Sequence, residues 1–122
     1  MAETVEKLSD RLLIACEDGD ERLVRELVGK GAHVDYLSPE GDTPLMAACR
    51  SGHTDTVRFL VQDKRVDLDM QGTGVGENWT ALMYAGFYGH ANIVGYLVEM
   101  GANYTIRDAD GQTGLEDWKC GV

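Results

Sequence analysis

TPLMAACRSGH, residues 43–53, is the stretch whose reading decides the fold of this 122-residue chain. Thr43 offers a hydroxyl to cap a helix, Pro44 suits the first helical position because the amide hydrogen it lacks would go unpaired there, and Gly52 supplies a stop. Leu45, Ala48 and Cys49 fall at i, i+3 and i+4, so they form one narrow apolar stripe whose small residues let another backbone come close. So short a helix cannot bury that stripe alone. It needs neighbours of the same build.

Such neighbours flank it on both sides. Upstream, residues 1–18 carry Val5, Leu8, Leu12, Ala15 and Cys16 at helical spacing, with Gly19 as the stop. ERLVRELVGKG, residues 21–31, then sets Leu23, Val24, Leu27 and Val28 on one side of a second helix. AHVDYLSPEGD, residues 32–42, is an extended excursion with a tight turn at Ser38, Pro39, Glu40 and Gly41. Downstream, a helix over about residues 55–63 offers Val57, Leu60 and Val61, followed by the glycine-rich RVDLDMQGTGVGENW. The opening pattern returns as TALMYAGFYGH, residues 80–90, and ANIVGYLVEMGA turns Ile93, Val94, Leu97 and Val98 inward. A turn over residues 107–111 leads into QTGLEDWKCGV, the start of a fourth unit.

The period follows by subtraction. Leu12, Leu45 and Leu82 stand 33 and 37 residues apart, as do Ala15, Ala48 and Ala85; Gly19, Gly52 and Gly89; Val24, Val57 and Val94; and Leu27, Leu60 and Leu97. Leu82 to Leu115 is 33 again, so a four-residue insertion lies between Val61 and Thr80. A turn and two helices repeating at this period, with T-P-L opening the first helix, resembles the ankyrin repeat family over nearly the whole chain. Gly31-Ala32 and Gly101-Ala102 match the pair that follows the family's second helix.

The resemblance implies an α-rich repeat solenoid: a stack of helix-turn-helix units joined by β-hairpin loops, one domain over residues 1–122 with three helix pairs and a truncated fourth unit. It departs from the family where Leu13, Met46, Met83 and Glu116 replace the histidine of T-P-L-H, so apolar packing is expected to substitute for that residue's hydrogen bonds in the inner units. Asp10 and Arg11 replace threonine and proline in the first unit, as suits an end unit with one face in water. Trp118 stands at a small-residue position, either as a lid on the stack or because the chain is cut from a longer one.

Composition narrows function. Eleven basic against 21 acidic residues give a net charge of −10, which repels nucleic acid phosphates and anionic membrane surfaces and favours a partner with a basic face. Cys16, Cys49 and Cys120 form no C-x-x-C pair and suit reduced thiols, with Cys16 and Cys49 buried at equivalent positions. Without a signal-peptide core or a membrane-length apolar run, cytoplasm or nucleus is the expected location and a monomer the expected state.

Candidate chemistry is sparse. DLDMQGTGVGEN places Asp67, Asp69 and Gln71 at alternate positions like a calcium loop, but Asn78 stands where a bidentate glutamate belongs and Gly74 where an apolar anchor does. The glycines of GTGVG lack a P-loop lysine, and His33, His53 and His90 have structural or surface positions. No nucleophile has a neighbouring base in sequence, so neither a catalytic site nor a cofactor is expected.

The resemblance implies that partners meet the hairpin tips and the exposed end of each first helix. By position these are Glu17 and Asp18; Leu37, Pro39, Glu40, Asp42, Arg50 and Ser51; Glu77, Trp79, Phe87 and Tyr88; and Arg107, Ala109, Asp110 and Gln112. Trp79, Phe87 and Tyr88 coincide in one unit beside the insertion, either as anchors that insert into a protein partner or as a satellite core of their own. Glu17, Asp18, Glu40, Asp42 and Glu77 would favour a basic rim on that partner. Two other roles are open to the chain: assembly through an open carboxyl-terminal end, and calcium binding.

Overall fold

The computed structural model describes residues 4–62, 66–73 and 78–113. They form six helices in three antiparallel pairs: α1 (Val5–Asp18) with α2 (Glu21–Gly29), α3 (Pro44–Ser51) with α4 (Thr54–Gln62), and α5 (Ala81–Phe87) with α6 (Ala91–Glu99). The first helices stack in the order α1, α3, α5 and the second in the order α2, α4, α6. The expected solenoid is present.

Each repeat column found in the sequence has a structural cause. The leucine, alanine and valine columns, from Leu12, Leu45 and Leu82 to Leu27, Leu60 and Leu97, are all buried, and each fully buried leucine or valine contributes about 1.5–3 kcal/mol. Thr4, Thr43 and Thr80 cap α1, α3 and α5 by accepting the amide three residues on. Met83 takes over from the absent histidine in an unexpected way, its Sδ accepting the Thr80 amide at 3.4 Å. The first helix also begins earlier than the repeat requires. Its added turns bring Ser9 into the core, where Oγ donates to the Val5 carbonyl and accepts the His33 amide.

The glycine column ties one unit to the next. Gly19 and Gly52 take φ of 75° and 78°, and a Cβ on either would lie within 2.6 Å of a ring atom of His53 or His90 respectively. Those rings bond back to the preceding unit: His53 Nε2 to the Glu17 carbonyl at 3.0 Å and His90 Nε2 to the Arg50 carbonyl at 3.1 Å. A carbonyl only accepts, so Nε2 carries the hydrogen in both. On the other side of the stack, Asp35 and Asp69 accept the amides of Asp67 and Asn103 in the following units. Along the second helices, Arg25 lies over Phe59 at 4.6 Å and Arg58 over Tyr96 at 5.5 Å.

The loops are hydrogen-bonded hairpin turns, with an isolated antiparallel bridge between Arg107 and Thr113. Ser38, Gly72 and Asp108 each donate an amide to Asp42, Trp79 and Gln112 respectively, while Gly41, Asn78 and Gly111 donate back and take positive φ. These equivalences divide the insertion. Ser38 to Gly41 and Asp108 to Gly111 span three residues and Gly72 to Asn78 spans six, so three added residues lie at the tip and the fourth precedes Gly72. Gly72 must be glycine, since a Cβ there would stand 2.5 Å from the Gly41 carbonyl oxygen.

Candidate functional site

Six of the positions that the resemblance assigns to partner contact line one concave pocket of about 490 Å³: Glu40, Asp42, Arg50, Trp79, Phe87 and Tyr88. The hairpins of two successive units and the ends of α3 and α5 bring them together. Glu77 lies outside the described residues. Arg107 is elsewhere, its Nη1 donating to the Gly111 carbonyl at 2.6 Å, so it braces the third hairpin, which opens the fourth unit.

The rings form a row. Trp79 meets Tyr84 edge-on at 5.1 Å between centroids and Phe87 at 5.0 Å, and Phe87 meets Tyr88 at 5.2 Å. Their exposures separate their roles: Phe87 is 57% and Tyr88 49% exposed, whereas Tyr84 is 3% exposed. Trp79 is half-buried, and its Nε1 donates to Asp108 Oδ2 at 3.0 Å. Trp79 is therefore a fixed wall and not a ring free to insert into a partner. The rings pack on one another, as the satellite-core alternative has it, while the outer two stay about half exposed.

Polar groups fix the other wall. Arg50 Nη1 donates to Asp42 Oδ2 at 3.1 Å, Arg50 Nη2 lies 3.5 Å from Glu17 Oε1, and the guanidinium sits 5.6 Å from the Tyr84 centroid. Burial pulls the Arg50 guanidinium down, but Asp42, Glu17 and Tyr84 outweigh it and hold the group above its ordinary value. Arg50 thus stays charged in the pocket. Asp42 Oδ1 also accepts the Tyr84 hydroxyl at 3.3 Å, a bond between successive units joining residues 42 apart in sequence.

Sequence reasoning missed Tyr84 and Asp108. Tyr84 carried a visible signal, since the same column holds Ala47 one unit earlier. Asp108 carried none, because its claim rests on one oxygen accepting the Asp110 and Gln112 amides while the other reaches back to Trp79.

The remaining positions are dispersed. Glu17 is exposed beside Arg50, and Asp18 lies in a separate hollow with Arg11, Ile14 and Leu23. Leu37, Pro39, Ala109, Asp110 and Gln112 are exposed and Ser51 half-buried. The calcium-loop residues are otherwise engaged: Asp67 and Asp69 accept the amides of Asp69 and Asn103, and Gln71 donates to the carbonyls of Asn78 and Arg107. Among the described residues no group of three or more His, Cys, Asp or Glu is placed to hold a metal. Cys16 and Cys49 are buried and free, and burial pushes the Cys16 thiol up to about 12 and Cys49 higher still. Leu115, Glu116, Trp118, Cys120 and the carboxyl-terminal face proposed for assembly lie outside the described residues, as do Gly74 and Gly76. No described helix is long and apolar enough to cross a membrane.

Stacked helix pairs with projecting hairpins and a side-chain-lined concave face define a repeat scaffold, a class whose members present surfaces and not deep clefts. The ankyrin repeat profile, in three copies, matches residues 12–108, and the chain belongs to the ankyrin repeat family. Similar proteins include mouse (Mus musculus) Ankyrin repeat and SAM domain-containing protein 6, 37% identical over 91% of this chain and 12% of that protein. Palmitoyltransferase AKR1 of Lachancea kluyveri is 35% identical over 90% of this chain and 15% of its own length. Human (Homo sapiens) Ankyrin repeat and KH domain-containing protein 1 is 38% identical over 84% and 4% respectively. The chain thus spans only a small part of each relative, and what it shares with them is the repeat array. Ankyrin repeats generally mediate protein–protein interaction.

Proposed function

We propose that this chain is a non-catalytic interaction module that binds a partner protein, as a monomer, on its concave face at the pocket of Trp79, Phe87 and Tyr88. The observation that carries this reading is the exposure of Phe87 and Tyr88 on a ring row whose inner members are fixed by Asp108 and Asp42. Rings held in place lose little conformational freedom when a partner covers them, and aromatic anchors dominate interface energies. Glu17, Glu40 and Asp42, together with the net charge of −10, favour a partner with a basic surface.

The test is comparative capture from lysate with wild type and the Phe87→Ala/Tyr88→Ala double variant, Trp79 being left in place because it is structural. The variant should fold with unchanged circular dichroism and lose the partners that wild type retains. Capture of the same proteins in the same yield by both would refute the assigned surface.

A further inference from the structure

The pocket also carries an inference about what enters it, which rests on the partner-binding reading above. Two properties of its lining point the same way. Trp79, Phe87 and Tyr88 supply aromatic surface, while Glu40 and Asp42 supply negative charge on the same lining. A purely apolar side chain would cover the rings but strip water from the carboxylates without replacing it. An anion would be repelled. A cation on a long aliphatic stem satisfies both, with its stem along the rings and its charge against a ring face and a carboxylate.

The pocket already contains one such arrangement. The Arg50 guanidinium lies over the Tyr84 ring and bonds to Asp42, with Glu17 close by, so two carboxylates face this one cation. Glu40 is exposed and forms no ion pair among the described residues, and Phe87 and Tyr88 each keep about half their surface in water. A second cation therefore meets excess negative charge and unused ring surface despite the presence of Arg50. We propose that the pocket takes a single arginine or lysine side chain from the partner protein, its cation over Phe87 and Tyr88 and paired with Glu40.

Single-residue probes test this without knowledge of the partner. N-acetyl N-methylamides of arginine, lysine, citrulline and norleucine are titrated into the whole chain, followed by ¹H–¹⁵N correlation spectra. The readouts are the Trp79 indole N–H, assigned by its loss in Trp79→Phe, and the amides of Phe87 and Tyr88. At least one cationic probe should give saturable shifts in the millimolar range, about fivefold or more tighter than citrulline and norleucine. Added salt should reduce that ratio, and Glu40→Gln, at an exposed turn, should abolish most of it while leaving norleucine unchanged. Equal affinities for charged and neutral probes would overturn the inference yet leave an apolar partner anchor intact. Failure of every probe to shift these resonances saturably would overturn it as well. Capture with the Phe87→Ala/Tyr88→Ala variant judges the broader reading separately in either case.

Discussion

Replacing Gly52 with alanine probes the contact that locks one unit to the next. The backbone there has φ 78°, and an added Cβ would stand 2.6 Å from Cε1 and 2.9 Å from Nδ1 of His90. Left-handed backbone alone costs alanine about 1 kcal/mol. The ring cannot retreat without losing its 3.1 Å bond to the Arg50 carbonyl, which contributes about 1 kcal/mol, and packing of similar size goes with it. Gly52→Ala should therefore destabilise the wild-type chain by about 3 kcal/mol. In a His90→Ala background only the backbone strain remains, and the same change should cost about 1 kcal/mol. The predicted coupling is about 2 kcal/mol. Equilibrium urea unfolding of the four proteins, followed by far-ultraviolet circular dichroism, measures it directly. A coupling below about 0.5 kcal/mol would show that the ring is not held against Gly52 and would refute the proposed lock. Gly19 with His53, where the approach is 2.5 Å, should repeat the pattern.

Cys16 and Cys49 should resist a thiol reagent in the folded chain at pH 8 and react fully in urea, since burial holds both thiols protonated; a Cys120→Ser background isolates them. Rapid native labelling would contradict the placement of these thiols in the core. Tyr36 donates to Asp10 and is raised to about 12, first by that hydrogen bond, then by desolvation and the nearby carboxylates. Because the folded value is the higher one, its contribution to stability is fully present below pH 10 and is lost as pH rises from 10 toward about 12. The stability difference between wild type and Tyr36→Phe should shrink across that window, and in Asp10→Asn the phenol should ionise nearer pH 10 by absorbance at about 295 nm.

The fold was legible because its determinants repeat. Leucine, alanine, valine and glycine recur at fixed columns, and each column has one physical task that any unit must perform, such as filling the core, permitting close approach or ending a helix. The insertion was legible only as a total of four residues, since the apolar columns fall silent between Val61 and Thr80. Dividing it required the hairpin hydrogen bonds, with Asn78 at the positive-φ position that Gly41 and Gly111 occupy elsewhere. The double role of Trp79 was hidden for a different reason. A ring at a hairpin tip looks exposed in sequence, and nothing local to it announces an acceptor 29 residues later on Asp108.

The candidate site is best understood as the place where one unit stops obeying the period. From the second unit to the third, Asp42 gives way to Trp79, Ala47 to Tyr84, and Arg50 and Ser51 to Phe87 and Tyr88, while the hairpin tip grows by three residues. The leucine and alanine columns on the same helices, Leu45 with Leu82 and Ala48 with Ala85, do not change. In a stacked repeat each unit's stability depends on its columns and its neighbours, so positions outside those columns can vary without undoing the stack. Tyr84, Phe87 and Trp79 meet one another in space, and Tyr84 reaches back to Asp42, itself bonded to Arg50, so the unchanged polar pair of the second unit becomes part of the same pocket. Four departures that were separate along the chain thus converge on one surface. Tyr84 and Trp79 tie the third unit to its neighbours through Asp42 and Asp108, and the same bonds hold the rings on which Phe87 and Tyr88 stay exposed, so one set of departures both joins the units and shapes the surface proposed for a partner.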